Sequence, residues 1–251
     1  MMYNIENIRG IIKINESLKK YNSLRLGGPA TMIYEPLDLN DLSLFLKNNA
    51  SQHNIYFLGL GSNILIRDQG INGIVILTRS NLNIVKQLNE TTIYAQAGVS
   101  CAKLSRFCSR IGLCGLEFLA TIPGTVGGAL AMNAGCYGSE IWQYVKQAEL
   151  INQNGEIYLK SKNNFDIAYR QVNLETNKWF SGAIFNLKYG DKISSLEKIN
   201  KFLEHRKITQ PINSPNCGSV FCNPKDQKAW KLINTAGLVG YNYKGAFISS
   251  K

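Results

Sequence analysis

Two uncharged, glycine-rich stretches hold the residues best suited to ligand chemistry. The first is Leu58-Gly-Leu-Gly-Ser-Asn63. Gly59, Gly61, Ser62 and Asn63 supply tight backbone turns after an apolar run, and such a loop points successive N–H groups at an anion such as a phosphate. The order is G-L-G-S-N, not G-x-G-x-x-G, and no helical pattern starts directly after it, so the Rossmann fingerprint is absent. A plain turn at a strand end is the other reading of these residues. The second stretch runs Thr121-Ile-Pro-Gly-Thr-Val-Gly-Gly-Ala-Leu-Ala-Met-Asn-Ala-Gly-Cys-Tyr-Gly138. Pro123 and Gly124 set a turn between Ile122 and Thr125. Gly127 and Gly128, then Asn133 to Gly135, remove side chains where a flat or phosphorylated ligand approaches the backbone. Close strand–helix packing asks for the same glycines.

Other reactive residue types are sparse. Cys101, Cys108, Cys114, Cys136, Cys217 and Cys222 form no C-x-x-C pair and show no zinc-ligand spacing. They read as free thiols used as small apolar side chains. His53 and His205 have no triad partner in the sequence, and neither receives a role.

The elements that must position these loops follow from periodicity. Residues 8–14 read as a strand, and 41–49 as a helix with Asn40 as its cap. Apolar runs at 55–60 and 73–77 read as buried strands. Residues 83–87 and 91–97 form a hairpin pattern. Ser100 caps an amphipathic helix to Ile111, with Cys101, Leu104, Phe107, Cys108 and Ile111 on one side. Asn154-Gly155 joins strands at 145–152 and 156–160, and 179–188 is a further strand. A charged helix over 194–207 turns Leu196, Ile199, Phe202 and Leu203 inward. A turn-rich stretch and a short helix ending at Gly237 follow. The texture changes near residue 190, which sets a domain boundary there.

The chain has 251 residues, 45% hydrophobic and 18% charged, as expected of a globular protein with room for two α/β units or one large one. No apolar run approaches the ~18–20 residues of a bilayer span. The N-terminus lacks a basic stretch followed by an apolar one, so a cytoplasmic protein without a membrane partner is expected. The net charge is +11. Lys and Arg are scattered, with no stripe interleaved with aromatics, which argues against nucleic acid. Positive potential that steers phosphorylated ligands fits better.

Four motifs occur in order: Asn22-Ser-Leu-Arg-Leu-Gly-Gly-Pro-Ala30, Gly59–Asn63, Ile122–Asn133, and Cys217-Gly-Ser-Val-Phe-Cys-Asn-Pro224. With them the chain, from about residue 20 onward, closely resembles the UDP-N-acetylenolpyruvoylglucosamine reductase family, in its shorter type. The resemblance implies an α+β fold: two α/β FAD-binding subdomains of the vanillyl-alcohol-oxidase (PCMH) type, at 1–80 and 81–190, and a substrate-binding domain at 191–251. It implies an NADPH-dependent flavoenzyme. Bound FAD would reduce the enolpyruvyl group of UDP-N-acetylglucosamine enolpyruvate to give UDP-N-acetylmuramate for peptidoglycan. A monomer is expected.

The resemblance also assigns residues. Arg25, Gly59, Gly61, Ser62, Asn63, Ile122, Pro123, Gly124, Thr125, Gly127, Gly128, Asn133 and Gly135 would hold FAD. Arg170, in Tyr169-Arg170, would hold the enolpyruvyl carboxylate and the enolate, as a permanently charged, bidentate guanidinium suits. Ser219 would be the proton donor. Tyr169, Lys207 and Asn223 would contact substrate. No metal is expected. The family's third catalytic group, a glutamate, falls beyond Lys251, so the alternative expectation is a C-terminally truncated FAD-binding fragment with little reductase activity. Lys244 replaces a glycine of the family, at a turn expected to need positive φ.

Overall fold

The computed structural model describes residues 3–251. The strands β1 (Ile11–Ser17), β2 (Pro29–Glu35), β3 (Ile55–Leu58) and β4 (Ile71–Leu77) form a sheet in the order β1-β2-β4-β3. β4 runs parallel to both its neighbours, and β1 is antiparallel to β2. The side-chain period of two sends Met32, Tyr34, Ile74 and Ile76 to one face. They pack there on Leu42, Phe45 and Leu46 of helix α1 (Leu39–Asn49). Ile33, Val75 and Leu77 point to the other face, under Leu18, Tyr21 and Ile66. A parallel sheet needs both faces covered, and this one has them.

Helix α1 is capped by Asp38, whose carboxylate accepts from the Asp41 N–H at 2.8 Å. The expected cap at Asn40 is thereby corrected: the helix starts two residues earlier, and Asn40 lies inside its first turn. Asp41 is buried. It accepts from the N–H groups of Arg9 and Leu37, each at 2.8 Å, and from the Tyr34 hydroxyl at 2.5 Å. Burial, and then this carboxylate, push the Tyr34 phenol far up.

A second sheet contains β5 (Val85–Gln87) and β6 (Thr92–Gln96), which form the expected hairpin. Next come α2 (Cys101–Arg110), the short β7 (Leu113–Cys114), α3 (Val126–Ala131) and the hairpin of β8 (Gly135–Cys136) with β9 (Ser139–Glu140). Then follow β10 (Val145–Asn152), β11 (Ile157–Ser161), the hairpin of β12 (Asp166–Ala168) with β13 (Gln171–Asn173), β14 (Lys178–Asn186), and β15 (Lys188–Tyr189), which pairs with β7. The sheet is antiparallel, in the order β11-β10-β14-β6-β5. Ser100 caps α2, as expected, accepting from the Lys103 N–H at 3.2 Å. Cys101, Leu104 and Cys108 of α2 enter a core with Phe118, Leu130, Trp142 and Phe185. Burial pushes both thiols up to about 12, the behaviour of inert apolar side chains.

The two sheets share a seam. Ile151 of β10 is buried in the α1-side cluster, and Trp179 of β14 stacks on Phe57 at 5.0 Å. The Ser43 hydroxyl on α1 donates to the Gly155 carbonyl at 2.5 Å.

Helix α4 (Lys192–Thr209) is capped by Asp191 and leads into the last region, with α5 (Ala229–Thr235) and the hairpin of β16 (Asn242–Tyr243) with β17 (Ala246–Phe247). Its buried residues are Ser195 and Ile199. Leu196, expected inward, is 37% exposed. The reason is polar. The Ser195 hydroxyl donates to Glu117 at 2.9 Å and lies 2.8 Å from the Ser109 hydroxyl, so the helix docks through a hydroxyl where an apolar contact was expected. None of residues 210–251 is buried. Lys244 has φ 50 and Gly245 φ 90, the two left-handed positions of a type I′ turn, as the sequence led one to expect.

Glu117 anchors this docking. It is 3% exposed and accepts from the Gly115 N–H and from Ser195, with the Lys198 ammonium 3.8 Å away. Burial alone raises its carboxyl, but its own and the Gly115 N–H groups, Ser195 and Lys198 outweigh that, and the net shift is downward. E117Q is therefore expected to destabilise the fold by about 1–3 kcal/mol at pH 7. The stabilisation that a depressed carboxyl supplies is present above its unfolded value and lost as pH falls through the folded one. Urea unfolding of both proteins at pH 7 and below pH 4 checks this, and the gap should narrow at the lower pH.

Candidate functional site

The three N-terminal motifs meet in space. Asn22 is buried and donates through Nδ2 to the carbonyls of Leu18 and Leu26, both at 2.8 Å. This closes a loop around Arg25, which is exposed with φ 57. The Ser23 N–H donates to the Gly61 carbonyl at 3.0 Å. Gly61 has φ 65, and a Cβ there would lie 2.3 Å from the Tyr21 oxygen. A Cβ on Gly59 would lie 2.3 Å from Thr125 Oγ1. Thr125 in turn caps α3 and forms a bridge with Ser100 at the start of α2.

The residues present fit a bulky phosphorylated cofactor. Among the described residues, the backbone N–H groups of Leu60, Gly61, Ser62 and Asn63 have no protein acceptor. Four successive free N–H groups are the donor set of an anion nest. The glycines of the second stretch divide. Gly127 packs against Ala97, and Gly135 against Ser139, so neither has space for a side chain. A Cβ on Gly124 or Gly128 would meet nothing closer than 3.7 Å. Protein packing therefore does not require glycine at these two positions, and the open space lies where a ligand would approach. Ile122 and Pro123 line a cavity of about 280 Å³ with Leu60, Leu203, Arg206 and Ile212.

A second polar group is built around Arg170. It sits in the two-residue turn between β12 and β13 with φ 58, a conformation that costs a bulky residue about 1–3 kcal/mol. Its guanidinium donates to the Asn133 carbonyl at 3.0 Å and the Gly135 carbonyl at 2.5 Å, and lies 3.4 Å from a Glu140 oxygen. It also lies over the Tyr169 ring at 4.6 Å. Asn133 is buried with φ 40, and its Nδ2 donates to Glu140 at 2.8 Å and to the Ala168 carbonyl at 3.0 Å. Asn133 Oδ1 is buried without a partner among the described residues. Of the five guanidinium donors, Nε–H and one on Nη2 stay free, so a fixed positive charge keeps one edge for a ligand.

The last region reaches both groups. The Ser23 hydroxyl donates to the Asn216 carbonyl at 2.5 Å, and Asn223 Nδ2 donates to the Tyr169 hydroxyl at 3.1 Å. Ser219 lies exposed between these anchors and makes no hydrogen bond to Arg170. Lys207 is exposed, with no polar partner among the described residues. Its neighbour Arg206 is half-buried and donates to the Thr121 carbonyl. Tyr137 stacks on Phe202 at 4.1 Å, and its hydroxyl lies 3.3 Å from His205 Nδ1. Sequence reasoning missed Glu140, Arg206 and Tyr137. Arg206 alone carried a signal, because it continues the inward stripe of Ser195, Ile199 and Phe202.

Comparison with known proteins places this arrangement. Residues 30–159 match the FAD binding domain family, and residues 210–251 match the C-terminal domain of UDP-N-acetylenolpyruvoylglucosamine reductase. The chain is 46% identical over 243 residues to the UDP-N-acetylenolpyruvoylglucosamine reductase of Legionella pneumophila strain Corby, covering 97% of this chain and 79% of that one. It is 42% identical to the protein of that name in Methylococcus capsulatus, covering 97% and 80%. The solved structure of the Thermus caldophilus enzyme superposes with a TM-score of 0.82 at 29% identity, covering 96% of this chain and 85% of the other. The 6-hydroxy-D-nicotine oxidase of Arthrobacter nicotinovorans shares the fold alone, at a TM-score of 0.53 and 16% identity over 73% of this chain and 43% of that one. The fold is thus the FAD-binding arrangement of the vanillyl-alcohol-oxidase type, with a further C-terminal region. Among the described residues no helix is long and apolar enough to cross a membrane.

G128A and G124A separate binding from folding. Each fits without a clash, and in α3 alanine is the better helix former. The apoprotein should melt at an unchanged or slightly higher temperature, while FAD affinity falls about tenfold or more. Fluorescence titration with FAD, beside thermal melts, checks both.

Proposed function

The chain belongs to the UDP-N-acetylenolpyruvoylglucosamine reductase family, and on that premise we propose that it is an NADPH-dependent FAD reductase of peptidoglycan synthesis. It converts UDP-N-acetylglucosamine enolpyruvate to UDP-N-acetylmuramate, in the cytoplasm and as a monomer. Residues 1–80 and 81–190 hold FAD, and residues 191–251 receive the substrate. The Gly59–Asn63 and Ile122–Gly128 segments with Arg25 would hold FAD, which would supply to the substrate a hydride drawn from NADPH.

The protein's own residues supply charge, position and a proton. Arg170, immobilised by two carbonyls and with one edge free, is the observation that carries this reading. A guanidinium held there binds the enolpyruvyl carboxylate bidentately and stabilises the negative charge that develops on it. Ser219 delivers a proton to the α-carbon, at the position next to the carboxylate. Asn223 and Tyr169, joined by their hydrogen bond, orient the sugar side of the substrate. Lys207 meets the diphosphate. Residues 191–251 hold ten Lys and Arg against four Asp and Glu, a net +6 of the chain's +11. The field of the protein is therefore concentrated on the region assigned to a doubly phosphorylated substrate.

The purified protein should be yellow and should oxidise NADPH only when the UDP-enolpyruvyl sugar is present. R170K should lower kcat/KM for the sugar by about 10²–10³, because an ammonium replaces a planar fork. NADPH oxidation that ignores the sugar would refute the assignment. A second expectation concerns salt. Steady-state kcat/KM for the sugar should fall as ionic strength rises from about 10 mM to about 150 mM, where screening shortens from ~30 Å to ~8 Å.

A further inference from the structure

The arginine just described is aimed as well as anchored. We propose that Glu140 is a positioning residue for Arg170, fixing the direction of the guanidinium so that its free edge faces the substrate carboxylate. The inference rests on the substrate reading given above. Glu140 ends the β8–β9 hairpin, whose turn residues Tyr137 and Gly138 have φ 53 and 79, the type I′ geometry that fixes the position of the following strand. One Glu140 oxygen lies 3.4 Å from Arg170 Nη1, and the other accepts from Asn133 Nδ2 at 2.8 Å. The same Asn133 offers its carbonyl to Arg170 and its Nδ2 to Ala168, two residues before the arginine. Carboxylate, amide and guanidinium thus form a closed ring about the turn that carries Arg170.

The length of the Glu140 contact matters. At 3.4 Å the carboxylate directs the guanidinium without drawing it into a close bidentate pair, which would consume the edge a ligand needs. The side chains of the pair are 27% and 32% exposed, so the ring is open to a ligand. A glutamine cannot stand in. Its amide has an acceptor on one side only, so either Arg170 or Asn133 would face a second donor. Asn133 cannot flip to compensate, because Oδ1 would then face the Ala168 carbonyl.

The test compares two sugars on one protein. Affinities of the FAD-loaded full chain for UDP-N-acetylglucosamine enolpyruvate and for UDP-N-acetylglucosamine are read from perturbation of the flavin absorption. Their ratio reports what the carboxylate-bearing group adds. Because both are measured on the same flavin-loaded protein, misfolded molecules change neither. The ratio should be large in the natural protein and collapse in R170A. It should fall about tenfold in E140Q and in E140A. E140Q in the R170A background should lower it no further, as expected of a residue that acts through its partner. A ratio near one in the natural protein would overturn the substrate reading and this inference with it. A large natural ratio that E140Q and E140A leave unchanged, or that falls further in the double variant, overturns the role of Glu140 alone. Loss of FAD from both variants would make Glu140 structural and overturn it too.

Discussion

The two glycine-rich segments touch, and the site is organised by that contact. Thr125 Oγ1 occupies the space that a side chain on Gly59 would need. The same hydroxyl accepts from the Gly128 N–H at the start of α3. Thr125 also bridges Ser100, at the start of α2. One threonine therefore fixes the end of the first sheet against two helices of the second unit. Only after this approach can the free N–H groups of Leu60–Asn63 and the open faces of Gly124 and Gly128 belong to one binding surface. The glycines divide accordingly. Some are required because protein already fills the space, and others leave it open.

The second group is stabilised differently, by polar saturation around strained backbone. Asn133 and Arg170 both adopt left-handed φ, and both lie within one connected set of contacts. Non-glycine residues keep such conformations where the surroundings over-determine them. Here two backbone carbonyls, one carboxylate and one amide do so. The last region joins this group through Asn223 and joins the first through Ser23. A segment with no buried residue is thus held at two points, beside the glycine-rich loops and beside the arginine.

What was legible in the sequence was mostly local. The cap at Ser100, the pairings of β5 with β6 and of β10 with β11, and the left-handed turn at Lys244 depend on neighbours a few residues away, and their patterns were readable. The inward face of α4 was legible at Ile199 and Phe202 but not at its start, because Ser195 finds its partner Glu117 78 residues away and an apolar period alone pointed to Leu196. Asp38 displaced Asn40 as a cap by two residues, a choice between two good capping side chains that only the extended backbone at Asp38 decides. Arg170 was found through motif order, but its support was not. Glu140 and Asn133 act through distances that no spacing in the chain encodes.

The seam between the sheets sets the order in which the fold can be completed. Ile151 belongs to the core beneath α1, and Trp179 closes it by stacking on Phe57. A ribosome that has delivered the first eighty residues has therefore delivered every strand of the first sheet but not the side chains that seal its core. At about 5–20 residues per second, that exposed face waits some 5–20 seconds for the hundred residues that end in Trp179. The nascent chain carries an unsealed apolar surface through this interval, and the second unit completes the first as it forms.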